Sequence, residues 1–158
     1  IALAAVDQSK EPDGFRGMKW GEDRKNIYHL VFNSKEEGNG ISDYYKDNEK
    51  NKIGSASLDY ILYGFKNDKF CRVFIATRFK GNLDKIAQTL KEAYGEPSFE
   101  RATSISWNFS NVRIFFHSGF GVLYEYKPTL NEAENSTNNT QEQEVNKKKE
   151  AIKGVEDL

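Results

Sequence analysis

The 158-residue chain has one cysteine, two histidines and no long apolar run, and each shortage closes a class of answers. Cys71 has no second cysteine to pair with, so no internal disulfide framework is available. It sits in "FCRVFIA", where a small buried apolar residue is expected, without the basic surroundings that activate a thiol. His29 and His117 occupy strand positions, with no second His, Cys or carboxylate at ligand spacing, so no zinc motif is legible. No apolar stretch approaches the eighteen or so residues that a membrane-spanning helix needs. Charge is missing as well: 23 Lys and Arg against 24 Asp and Glu leave a formal net of -1. A nucleic-acid partner is not expected, because phosphate binding needs clustered basic residues and no basic stripe is present.

Other motifs fail on context. Ser104, Ser106, Ser110 and Ser118 surround His117, but no GxSxG elbow or ordered triad accompanies them. Asp43, Asp47 and Glu49 in "SDYYKDNEK" lack the sixth-position glycine and closing glutamate of a calcium loop, and read as a solvated strand edge. The glycine-rich "FRGMKWG" at 15–21 lacks the preceding strand and following helix of a phosphate cradle. It reads instead as a corner, with Phe15, Met18 and Trp20 plugged into the core and Gly17 and Gly21 at sharp turns. The sequence therefore nominates no catalytic, cofactor-binding or metal residue, and no cofactor.

Aromatic residues are absent from both flanks. All 11 Phe, 8 Tyr and 2 Trp fall between Phe15 and Tyr126. This distribution predicts three regions: 1–14, a signal-peptide remnant and polar leader; 15–128, one compact domain; and 129–158, a polar tail. The tail's composition cannot offset its ordering entropy, so it is expected to be disordered or marginally helical. Ile1 to Ala5 look like the end of an export signal with an Ala-x-Ala cleavage site, which predicts a periplasmic or secreted protein.

Within the domain, "EDRKNI" at 22–27 predicts one or two helical turns and "IYHLVF" a short strand. "SASLDYILYGF" and "FCRVFIATRF" flank Asn67-Asp68, a pair that accepts the positive φ of a tight hairpin. Placing these two at the tip pairs Phe65 with Phe70, Leu62 with Val73 and Tyr60 with Ile75. One face then carries Leu58, Tyr60, Leu62, Cys71, Val73 and Ile75. The other carries Ile61, Tyr63, Phe65, Phe70, Arg72 and Phe74. One must be core; the second is either covered or offered to a partner.

Leu83, Ile86, Ala87, Leu90, Ala93 and Tyr94 form a one-sided stripe that predicts a helix over about 82–94. Asn82 is its expected N-cap, and Gly95 with Pro97 stops it. "SISWNF", "VRIFFH" and "GVLYEYK" follow as strands. A turn at 118–120 sets Arg113 opposite Glu125, Ile114 opposite Tyr124 and Phe115 opposite Leu123, matching charge with charge and apolar with apolar. The expected fold is α+β: a mainly antiparallel sheet of six to seven strands, with one long helix packed on one face. Phe15-Arg16-Gly17 and Phe79-Lys80-Gly81 introduce two similar rounds, a weak internal echo.

"FRGMKWGEDRKNI", "YYKDNEKNKIGSASLDYILYGFKNDKFCRVFI", "LKEAYGEP" and "GVLYEYKP" together resemble a group of small exported bacterial proteins of unknown function that open with an FxGxxWG signature. The likeness covers roughly residues 15–128. It implies export and a compact α+β domain, and it implies no activity. The long polar tail departs from that pattern.

The expected function is a non-catalytic binding or interaction module of the cell envelope. Its candidate binding face is Ile61, Tyr63, Phe65, Phe70, Arg72 and Phe74, set against an envelope protein, a peptide or a glycan. The alternative is an enzyme with a loop-borne site. An open aromatic sheet face would favour the first and a deep cleft with convergent polar groups the second.

Overall fold

The structure, a computed structural model, describes residues 5–134. Its strands, in chain order, are β1 (Gly14–Phe15), β2 (Met18–Lys19), β3 (Leu30–Lys35), β4 (Ile41–Lys46), β5 (Lys52–Ile53), β6 (Ala56–Ser57), β7 (Tyr60–Lys66) and β8 (Lys69–Ala76). After helix α1 (Lys80–Tyr94) come β9 (Phe99–Glu100), β10 (Ser104–Asn108), β11 (Val112–His117), β12 (Gly121–Tyr126) and the single turn α2 (Lys127–Leu130).

The fold is α+β with a mainly antiparallel sheet. Eight strands, not six or seven, form that sheet in the order β3-β4-β7-β8-β12-β11-β10-β9. The undercount comes from its edge, where β9 pairs through only Ile105 with Glu100 and Ser106 with Phe99. The sheet is two four-stranded meanders, each running from an outer edge to the centre, joined where β8 meets β12. The Phe-x-Gly echo does not mark equivalent places in them. Phe15 lies in the β1–β2 hairpin, whereas Phe79 caps α1 and is 68% exposed.

The helix α1 covers one face. Leu83, Ile86 and Leu90 are buried in a cluster with Ile61, Tyr63, Val73, Ile75, Trp107, Ile114 and Val122. Each such aliphatic residue contributes on the order of 1.5–3 kcal/mol by leaving water. The helix begins before the expected Asn82, with Phe79 as N-cap residue and no side-chain cap. Asn82 has a different task, since its Oδ1 accepts the Ser57 N–H of β6 at 3.2 Å. The stop is as expected: the Gly95 N–H closes on Lys91 O at 2.9 Å. Gly95 O then accepts from the fully buried Trp107 indole at 2.9 Å, tying the helix end to β10.

The corner reading of "FRGMKWG" describes its place well. β1 and β2 pair Gly14 with Lys19 and Phe15 with Met18 around a two-residue turn. Arg16 and Gly17 both have positive φ, 49° and 81°, the geometry that suits a tight hairpin. Met18 is buried, and Trp20 stacks on Phe70 with centroids 4.7 Å apart.

The compact region runs past both expected boundaries. Val6 is buried, and Gln8 Oε1 accepts from the Ser110 N–H and hydroxyl, so residues 6–14 are built into the domain. At the other end Thr129 is buried, the Lys66 ammonium donates to Leu130 O at 2.8 Å, and Asn67 donates to Ala133 O at 2.8 Å. The remainder of the expected tail, 135–158, lies outside the described residues.

Candidate binding face

The central hairpin places the candidate residues differently from a simple alternation. Phe65 pairs with Phe70 as expected, but Gly64 pairs with Arg72, Tyr63 with Val73, Leu62 with Phe74 and Ile61 with Ile75. The register shift between Gly64 and Phe65 leaves Cys71 as an extra residue in β8. A bulge of this kind moves every later side chain of its strand to the opposite face.

The six candidate residues therefore do not share one surface. Ile61, Tyr63, Phe65 and Phe70 are core, each no more than 2% exposed. Val73 and Ile75, expected on the opposite face, join them beneath α1. Arg72 and Phe74 lie on the other side of the sheet, beside Gly64 and Leu62. The bulge exchanges the partners of the two faces.

The face away from α1 can now be read across the sheet. One row is Asp43, Gly64, Arg72, Glu125, Arg113 and Asn108, each registered with the next. The adjacent row is Leu62, Phe74, Leu123, Phe115, Ser106 and Phe99. Leu62, Phe74, Leu123, Phe115 and Phe99 are all half-buried, so each keeps part of its surface in water. Around them Phe74 packs on Phe120 at 5.7 Å and on Tyr60 at 6.0 Å, while His117 stacks on Phe120 at 5.0 Å. Tyr60 is 45% exposed. The result is an open apolar strip beside a row of charges.

Those charges are fixed in place. Arg72 donates to Asp43 at 2.8 Å and to both carboxylate oxygens of Glu36, and Arg113 pairs with Glu125 at 3.2 Å. Asp43 was expected at a solvated edge, but it is buried because β3 covers the outer side of β4. Burial pushes its carboxyl above the ordinary carboxylate range, against the pull of Arg72. The hydrogen bond from Arg72 holds Glu36 below that range. Burial works against the Arg72 charge, but the Glu36 bond and the Asp43 charge outweigh it and raise its pKa. Asp43 Oδ1 and Arg72 Nε are buried without a hydrogen-bond partner.

A second polar group lies on the core side, below the first hairpin. Arg16 donates to Glu49, to Lys50 O and to Lys52 O, and the Tyr63 hydroxyl donates to Glu49. Burial pushes the Tyr63 phenol far up, and the Glu49 bond adds to it. Glu49 thus locks a loop to the core. The hairpin itself borders a cavity of about 180 Å³, lined by residues 13–19. His29 contacts Asp47 at 3.0 Å, and His117 accepts the Gly119 N–H at 2.9 Å. Among the described residues no group of three or more His, Cys, Asp or Glu is placed to hold a metal ion.

Of the six residues nominated from the sequence, the open face retains Arg72 and Phe74. It adds Phe115 and Leu123, which pair as expected, and Leu62, expected opposite Val73 but registered with Phe74. The β11–β12 register held the signal, because Arg113 with Glu125 and Phe115 with Leu123 stand as expected. No helix among the described residues is long and apolar enough to cross a membrane. Comparison with protein-family models, curated proteins and solved structures finds no match in any of the three.

Proposed function

We propose that this protein is a non-catalytic interaction module whose docking surface is the sheet face opposite α1. One observation carries the reading: a partly exposed apolar row, Leu62, Phe74, Leu123 and Phe115, runs across four central strands. Contiguous apolar surface of this kind is characteristic of contact sites rather than of free surface. The ion-paired charges beside it, Arg72 with Asp43 and Glu36 and Arg113 with Glu125, give an orienting border. The setting, exported and at the cell envelope, rests on the resemblance carried by the FxGxxWG signature and the motifs after it.

A photo-crosslinking residue at Phe115 tests the reading in cells, with Phe79 as the exposed control away from the face. Discrete adducts are expected from position 115 and not from position 79. Equal labelling at both positions, or none at 115, would remove the face as the site of contact.

A further inference from the structure

The turn between β3 and β4 carries a reactive pair, Asn39-Gly40, the one Asn-Gly step in the chain. We infer that Asn39 is a site of slow self-modification, where its side-chain amide is exchanged for a carboxylate and the neighbouring Arg72 clasp is loosened. The inference stands apart from the docking-face reading.

The reaction brings the next backbone nitrogen against the side-chain carbonyl carbon, and glycine hinders that approach least. Gly40 offers no side chain and sits at a positive φ of 71°. Among the described residues its N–H is held by no acceptor, and Asn39 itself is exposed. The Asn39 side chain is already folded back. Its Oδ1 accepts the Ile41 N–H at 3.0 Å, a bond that arches over the Gly40 amide. That N–H stands where negative charge gathers on Oδ1 as the Gly40 nitrogen adds, so it acts as an oxyanion donor. The Asn39 Nδ2 donates to Glu36, which sets a carboxylate against the nitrogen that must leave.

The steps balance with water as the only other reactant. A bond forms from the Gly40 nitrogen to Asn39 Cγ, and the bond from Cγ to Nδ2 breaks. Ammonia departs with the proton that Gly40 gives up, leaving a cyclic imide. Water then opens the ring. Attack at Cγ leaves aspartate, whereas attack at the backbone carbonyl leaves isoaspartate, with Cβ and Cγ now in the main chain. Either product adds one carboxylate to the turn.

Glu36 feels the change first. Its Oε2 accepts from both Asn39 and Arg72, the latter at 3.1 Å, and its Oε1 accepts from Arg72 as well. Exchanging the donor amide for a carboxylate sets like charges where a hydrogen bond stood. Glu36 is partly exposed, so it swings out into water and leaves the guanidinium to Asp43 alone. The isoaspartate form also lengthens the turn that the Glu36 N–H closes on Ile41 O at 2.9 Å. The outermost hairpin of the first meander thus loses a tie to β8.

Peptide mass mapping of the whole chain, kept in warm, mildly alkaline buffer and sampled over time, tests the site. Asn39 should convert faster than Asn33, which precedes Ser34 in β3, and at least as fast as Asn39 of the same chain unfolded in urea. An intact Asn39, or conversion faster in urea than in the folded protein, overturns the inference. The effect on the clasp is read with Asn39→Asp, which supplies one product directly. It should lower the urea midpoint of the otherwise unaltered chain and leave that of a Glu36→Gln chain nearly unchanged. An equal drop in both backgrounds, or no drop in either, breaks the link from Asn39 to Arg72.

Discussion

Gly64 and Arg72 lie opposite each other on β7 and β8, and the side chain missing from one is what the other uses to reach Asp43. A Cβ built on Gly64 would stand 2.8 Å from the Arg72 Cβ and 3.1 Å from Asp43 Oδ1. The guanidinium thus crosses a whole strand to join β8 to β4. It also reaches Glu36, in the turn beyond β3, so one side chain ties three parts of the first meander together.

Gly64→Ala should therefore destabilise the protein by roughly 1–3 kcal/mol, the usual range for overpacking a filled site. Chemical denaturation measures it. A change smaller than about 0.5 kcal/mol would mean that Arg72 has room to move aside and that the crossing is not tightly fitted.

The Cys71 thiol is buried, and that burial pushes its pKa up to about 12. Burial likewise raises the phenols of Tyr63, Tyr94 and Tyr124. All four favour the neutral form in the folded state. Their contribution to stability is complete well below about pH 8.5, where the unfolded thiol is half ionised, and is lost as pH rises towards 12. Stability should fall steadily on the alkaline side. At pH 8 a thiol reagent should label the native protein at least about a hundredfold more slowly than the unfolded chain. Comparable rates would show that Cys71 is reachable without unfolding.

Leu90 lies mid-stripe on α1, 3% exposed and within the main core cluster. Leu90→Ala should cost roughly 2–5 kcal/mol, as for other buried leucines. A denaturation shift below about 1 kcal/mol would separate the helix from the core that it covers.

The chain after β12 is predicted to matter up to Glu134. Lys66, Asn67 and Lys69 all bond to residues 130–133, and Lys35 pairs with Glu134 at 3.1 Å. A protein ending at Tyr126 should melt at a lower temperature than one ending at Glu134. Equal melting temperatures would reduce these contacts to decoration of the hairpin tip.

Much of this fold was legible where local chemistry and global packing agree. The α1 stripe, its Gly95 stop, the Asn67-Asp68 turn and the β11–β12 register all follow from short-range signals. The candidate face was misread at one residue. A strict alternation through 70–76 groups Cys71 with Val73 and Ile75, which is a valid pattern for an unbroken strand. The bulge has no local signature there, because Phe70 and Cys71 are both apolar and both buried. Asp43 was hidden for a related reason: its partner Arg72, and the strand β7 that packs beside it, lie far along the chain. A carboxylate's burial is a property of its neighbours and not of the residues beside it in sequence.

The meeting of β8 and β12 has a consequence in time. β8 ends at Ala76, whereas its central neighbour is Gly121–Tyr126, some fifty residues later in synthesis. During that interval the first meander can form, but the edge that becomes the middle of the sheet stays bare. An unpaired edge rich in Val, Ile and Phe invites pairing with another chain, and non-local strand pairing is slow to close. The intervening α1 can cover the face of β8 but not its edge. The centre of this molecule is the last part of the sheet to be made.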